Sequence, residues 1–291
     1  MTEFKKRIPA LCLMAAMLFF CAQNVFAGSE DFTDAEPFAL SPALDAPLAV
    51  AGVASCVTGI LLQKLCPLPD ADASFGSYKL SDVNALDAFF ACPYNSVLNT
   101  LGDVTCVLDV ALPAMILGIE WWACSNFPAR EFAVAGLMYA ESFALSWGIK
   151  NILKFAVHRV RPYMYFGTYE PGAMESKDFE FSWPSGHSTN VFMSAAFTSY
   201  MFCKYYPDSS WRIPVVAISY SLAFGTAALR MASGNHFLTD VLSGAVLGSA
   251  CGFLVPFAHS LLAKSRDRKK TENETFNLQF LPGAVNVSIK L

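Results

Sequence analysis

Residues 181–190 read FSWPSGHSTN, and sixteen residues with the pattern of a buried helix, VFMSAAFTSYMFCKYY, follow at once. Pro184 suits the first turn of a helix, where its missing N–H costs nothing, so the N–H groups of Ser185, Gly186 and His187 are expected to face an anion. Gly186 lets a phosphate oxygen come close, the helix dipole favours negative charge, and the Ser185 hydroxyl is a further donor. His187 then stands where it can pass a proton to a departing oxygen. Alone, a histidine at a helix start is a cap; its meaning depends on what else the chain brings to the same side.

The composition says where such a helix lives. Of 291 residues 54% are hydrophobic and 15% charged, and the mean hydropathy is +0.40, too apolar for a soluble domain. The net charge of −4 hides an asymmetry, with Lys5, Lys6 and Arg7 at the start and an acidic stretch over 28–103. Nothing in it points to a nucleic-acid partner. Five stretches, about 103–124, 132–153, 190–206, 212–231 and 239–262, are long enough to cross a hydrocarbon layer of ~30 Å. Lys264, Arg266, Arg268, Lys269 and Lys270 place the end of the last on the cytoplasmic side, with Arg130, Lys204 and Arg212. His187, His236 and Asp240 then face outward. On this count 47–66 is an interfacial or packed helix, because a sixth crossing would break the parity.

The sequence therefore divides into 1–27, a signal peptide or N-terminal anchor; 28–102, an extracytoplasmic segment with the interfacial helix; 103–264, the membrane core; and 265–291, a basic stop and tail. The tail alternates Phe276, Leu278, Phe280, then Pro282-Gly283, then Val285, Val287, Ile289, the pattern of a β-hairpin. Cys66 and Cys92 are a candidate disulfide if exported, and the other cysteines of the mature chain are core residues without metal-ligand spacing. Asp109 and Glu141 fall inside spans, where an ionisable group faces a polar interior, and Glu120 lies at an interface beside Trp121 and Trp122. Gly244, Gly248 and Gly252 form a small-residue stripe for helix packing.

Two further polar clusters fall on the outward side. In KFAVHRVRP, Lys154 and Arg161 are seven residues apart, nearly the same face of a helix that Pro162 then stops, and two cations on one face can hold one anion. In LRMASGNHFLTD, Arg230 ends one span while His236 and Asp240, four apart, open the next. The carboxylate is placed to accept from one imidazole nitrogen and leave the other free as a nucleophile, and Arg230 is a planar cation suited to phosphate.

Lys154-x6-Arg161-Pro162, Pro184-Ser185-Gly186-His187 and Arg230-x5-His236-x3-Asp240 together resemble the three-part signature of the type-2 phosphatidic-acid phosphatase superfamily. One position departs from it: the serine usual before the third-motif arginine is Leu229. The resemblance implies an all-α, polytopic membrane bundle of five to six spans, here with a short hairpin tail. It implies a phosphatase needing no metal or cofactor, with His236 as nucleophile, Asp240 orienting it, His187 as acid and then base, and Lys154, Arg161, Ser185, Gly186 and Arg230 binding phosphate. The expected partners are membrane lipids and a lipid phosphate: phosphatidic acid, phosphatidylglycerol phosphate, undecaprenyl diphosphate or lipid A phosphate. The expected location is the inner membrane, site outward, and two working histidines imply a bell-shaped pH profile. A phosphotransferase using the same intermediate and a silent membrane scaffold are the alternatives.

Overall fold

The computed structural model describes residues 36–66, 78–123, 129–169, 171–281 and 284–289; the expected signal region 1–27 lies outside them. The helices are α1 (Pro42–Leu65), α2 (Ala85–Phe90), α3 (Ser96–Ala123), α4 (Ala129–Val157), α5 (Ala173–Ser176), α6 (Gly186–Tyr205), α7 (Arg212–Ala232) and α8 (Leu238–Thr275). Six of these are long and lie side by side as an all-α bundle, with α6 at its centre against α3, α4, α7 and α8. By length and composition α1, α3, α4, α7 and α8 are able to cross a membrane, so the chain is a multi-pass membrane protein. The stretch expected as a span at 190–206 is not among the five. Asn190, Ser194, Thr198, Ser199 and Lys204 dilute its hydropathy, and the three hydroxyl residues are buried because other helices surround α6.

The small-residue stripe makes the tightest of these contacts. A Cβ on Gly248 would overlap the Thr189 carbonyl and stand 2.8 Å from Met193 N; Gly252 meets the Met193 carbonyl in the same way. Gly248→Val therefore forces α6 and α8 apart and lowers stability by about 2–3 kcal/mol. Thermal unfolding in detergent measures it, with Gly225→Ala as the control, since no atom lies within 4 Å of that position. Equal melting temperatures would refute the contact.

Of the two readings of 47–66, interfacial or packed, the structure has the packed one. α1 lies along α4 in the same direction: Gly52 meets Ala144, Ser55 meets Gly148, and Gly59 meets Asn151. Its start is tied to the far end of the bundle, where Ala39 N donates to His259 O at 3.3 Å and Phe38 packs on Tyr205, ring centroids 5.4 Å apart. Small residues spaced along both helices allow a close contact over most of the helix, which no helix lying flat on the bundle's end could make. Segment 28–102 is thus not confined to one end: 38–45 sit opposite the polar loops and 78–95 beside them.

The hairpin is present, β1 (Phe276–Leu281) pairing antiparallel with β2 (Ala284–Ile289) from Phe276↔Ile289 to Leu281↔Ala284. Cys66 and Cys92 are free thiols; Cys66 caps α1, and Cys92 Sγ turns to the Phe90 carbonyl at 3.7 Å. Asp109 faces inward, accepting from Thr226 Oγ1 at 2.8 Å. α3 begins at Ser96, seven residues before the expected span, because Asn99 and Asp103 point into a cavity instead of ending the helix.

Candidate active site

The cavity, of about 370 Å³, opens at the end of the bundle where α4 and α7 finish and α3, α6 and α8 begin. Lys154, Arg161, Gly186, His187, Arg230 and His236, drawn from all three clusters, line it together.

The first cluster reaches it by a turn rather than by helical repeat. α4 stops at Val157, His158 takes a left-handed conformation (φ 48°), and Arg161 lies in extended chain (φ −75°, ψ 151°) ahead of a 3₁₀ turn at Pro162–Phe166. Lys154 and Arg161 meet because the chain doubles back. Lys154 Nζ donates to Phe181 O at 2.8 Å, and Arg161 Nη2 pairs with Asp178 Oδ2 at 2.6 Å. Burial would raise Asp178, but Arg161 and Lys154 outweigh it and hold that carboxyl below its ordinary value.

In the second cluster Pro184 stands before the N-cap, and α6 begins at Gly186. Ser185 is fully buried: its hydroxyl accepts from Ser188 N at 3.3 Å, and its N–H donates to Asp240 O at 3.0 Å. It caps the helix and does not line the cavity, contrary to expectation, because its hydroxyl serves Ser188 on its own helix and its N–H serves α8. The N–H groups left to an anion are those of Gly186 and His187. His187 Nε2 is 2.8 Å from Asp103 Oδ1, which also accepts from Arg230 Nη1 at 3.0 Å.

The third cluster departs most from expectation. His236 Nδ1 lies 2.9 Å from Ser182 O but 3.7 Å from Asp240 Oδ2. Asp240 is already saturated, by Arg159 at 2.6 Å, Ser182 Oγ at 2.5 Å and Phe237 N at 2.8 Å. The Ser182 carbonyl therefore takes the Nδ1 proton, and Asp240 holds the loop on either side of it. Nε2 is left with its lone pair toward the cavity, 3.5 Å from Arg161 Nη1.

Burial, then Arg161, Lys154 and Arg230, hold His236 well below the ordinary imidazole value of 6.5. The residue is neutral at pH 7, and any acid limb it adds to a rate profile falls below pH 6.5. Because the unfolded chain binds a proton there that the native state refuses, stability falls as pH drops below about 6.5, by up to about 1.4 kcal/mol per unit. Melting temperatures of wild type and His236→Gln between pH 7.5 and 5 test this. The variant is expected to decline less steeply, and parallel curves would refute it.

Residues 135–262 match the family model described as PAP2 superfamily. The matched segment is a little under half of the chain. That segment includes all three clusters, so the resemblance drawn from them is borne out. The chain is 34% identical over 121 residues to phosphatidylglycerophosphatase B of Bacillus subtilis (strain 168), covering 41% of this chain and 56% of that protein. It is 27% identical over 168 residues to a PA-phosphatase related-family protein of Dictyostelium discoideum, covering 54% and 60%. It thus spans less than two thirds of either relative. A crystal structure of a transmembrane PAP2 type phosphatidylglycerolphosphate phosphatase from Bacillus subtilis aligns over 76% of this chain and 97% of that one, at 21% identity and a TM-score of 0.36.

Within the matched segment Leu229, at the position of the usual serine, packs toward Gly102 on α3. The partners of Arg230 come from α3 instead, Asn99 Oδ1 at 2.7 Å and Asp103. Lys150 escaped the motif reading although it sits four residues before Lys154, a spacing that puts both on one face. It lines the cavity with no carboxylate partner among the described residues, its Nζ 3.5 Å from where a Gly186 Cβ would stand. The cavity then holds four cations, Lys150, Lys154, Arg161 and Arg230, against Asp103 and Asp178. The surplus is positive, as an anion site requires. Arg159 was also missed; no local pattern marks it, because its partners are Asp87 and Asp240.

Proposed function

We propose that the chain is a membrane phosphatase that hydrolyses a lipid phosphate through a phosphohistidine on His236. The observation that carries this is the convergence of His236 Nε2, His187 and four cations on one cavity at the end of an apolar bundle. Nε2 attacks phosphorus while the bond to the lipid oxygen breaks. Lys150, Lys154, Arg161, Arg230 and the N–H groups of Gly186 and His187 neutralise the charge on the equatorial oxygens. His187, entering as the imidazolium between Asp103 and the arriving phosphate, gives its proton to the leaving oxygen and, now neutral, takes one from the water that releases phosphate from His236. Asp103 holds His187 Nε2 and Arg230 in the meantime; the arriving phosphate, with more negative charge, displaces it.

Phosphatidylglycerol phosphate is the first substrate to test, because the 34% identical relative is a phosphatidylglycerophosphatase. Phosphatidic acid, undecaprenyl diphosphate and lipid A phosphate follow. The basic run Lys264–Lys270 at the far end of α8 puts that end in the cytoplasm and the cavity at the outer face of the inner membrane. With α1 and α6 as crossings there are six, and export of 28–102 applies only beyond α1.

The test is phosphate release from ³²P-labelled substrate in detergent at 25 °C with EDTA, with the protein quenched in alkali, where phosphohistidine survives. Release together with acid-labile protein label supports the proposal. Absence of release from every candidate lipid, or label persisting on His236→Ala, overturns it.

A further inference from the structure

At the opposite end of the bundle from the phosphate cavity, three helices bring together groups that the proposed chemistry does not use. Glu141 on α4, His259 on α8 and Asp45 in the first turn of α1 each offer one ligand atom, all within 4.8 Å of one another. His259 is fully buried and Glu141 is 4% exposed. His259 Nε2 is 3.0 Å from Glu141 Oε2, while Nδ1 is 3.0 Å from the Ala39 carbonyl. Glu141 Oε1 and Asp45 Oδ1 are buried and have no hydrogen-bond partner, the nearest nitrogen to Asp45 Oδ1 being His259 Nδ1 at 3.7 Å.

A carbonyl is only an acceptor, so Ala39 O takes a proton from Nδ1, and the Nε2 lone pair of a neutral ring then faces a carboxylate oxygen. Two acceptors at 3.0 Å repel unless something positive lies between them. A proton there would satisfy Nε2 and Oε2 but leave Glu141 Oε1 and Asp45 Oδ1 bare in an apolar interior, a costly arrangement for carboxylates. A divalent cation answers all of this together. It balances two negative charges, takes lone pairs from three residues, and uses the imidazole as metal sites do, with the far N–H fixed by a backbone carbonyl. A separation of 3.0 Å suits two ligands bound to one ion at ~2.0–2.2 Å.

We propose that Asp45, Glu141 and His259 bind one divalent transition cation, with Zn²⁺ or Mn²⁺ fitting one imidazole and two carboxylates, as a clamp tying α1 to α4 and α8. Glu141 lies nine residues along α4 from the cavity-lining Lys150, roughly 14 Å, and His259 twenty-one residues along α8 from Leu238, so the ion stands outside the cavity, acts on stability and takes no part in the chemistry. A proton in its place is the alternative that the experiment decides.

The full chain, purified in detergent without an affinity tag and stripped with EDTA, is given Zn²⁺ and desalted. One retained equivalent and a melting temperature raised by several degrees are expected. Glu141→Gln and His259→Gln are expected to lose both. Asp45→Asn, at the least buried ligand and safest for folding, is expected to weaken retention at least about tenfold. Co²⁺ bound to wild type is expected to show visible absorption from imidazole and carboxylate ligation. No retained metal, or equal retention by wild type, Asp45→Asn and Glu141→Gln, overturns the clamp in favour of a buried proton. His236→Ala is expected to keep the ion, so this inference and the phosphatase proposal fail separately.

Discussion

His236→Ala is expected to lower phosphate release from a lipid phosphate by roughly 10⁵–10⁶-fold, the scale seen when an enzyme loses its nucleophile or the base that activates it. The ring is buried, its Nδ1 proton goes to Ser182 O, and Nε2 alone meets the cavity. Among the cavity's lining groups no other neutral nitrogen is held with a lone pair turned inward in this way; His187 Nε2 is engaged by Asp103. Initial rates on phosphatidylglycerol phosphate measure the loss, and helical content by circular dichroism shows whether the variant folds. A folded variant within about tenfold of wild type would remove His236 from the chemistry. The neighbouring cations should behave differently. Arg161→Ala or Arg230→Ala removes one charge among four and is expected to cost about 3–4 kcal/mol of barrier, leaving measurable rates.

Arg159→Met is expected to have the second-largest effect, and it touches no cavity atom. The guanidinium spans two carboxylates that are both fully buried, Asp87 on α2 at 2.8 Å and Asp240 on α8 at 2.6 Å, and its Cζ lies 4.2 Å from the Phe237 ring centre. Removing it strands two negative charges in the interior. Breaking one buried pair by deleting a partner costs about 3–5 kcal/mol, and here the same deletion breaks two. Hydrogen bonds from Thr239 and Asn84 still reach Asp87, so the loss should stay near that range rather than double. Asp240 also anchors Ser182, whose carbonyl sets the His236 tautomer, so the rate should fall with the stability. Arg159→Met with Asp87→Asn should recover part of the melting temperature. Unchanged stability in Arg159→Met would refute the bridge.

Much of this protein is legible in its residues. Apolar runs of membrane length, the Gly244-Gly248-Gly252 stripe and the alternation of the tail each carry a local period, and a local period is what helix, contact and hairpin need. That Lys154, Arg161, Gly186, His187, Arg230 and His236 would come together was legible too, because a phosphate site demands particular residue types and helix starts supply free N–H groups. Lys150 was within reach on the same grounds. Other assignments failed wherever a side chain had more than one polar group to choose from. Ser185 spends its hydroxyl on a cap, Asp240 serves Arg159 and Ser182 rather than His236, and Arg161 arrives by a turn at His158.

What the sequence by itself determined is the kind of molecule and the residues that gather at one end of it: a bundle of apolar helices with cations and imidazoles around a cavity. Only the tertiary structure decided which nitrogen of His236 is free, that burial among cations keeps it neutral, that Arg159 joins α2 to α8, and that Asp45, Glu141 and His259 meet. The reason lies in range. Helix and strand periods are set within a few residues by backbone geometry. The choice of a hydrogen-bond partner depends instead on which groups, often eighty or more positions apart, the packed helices bring within about 3 Å.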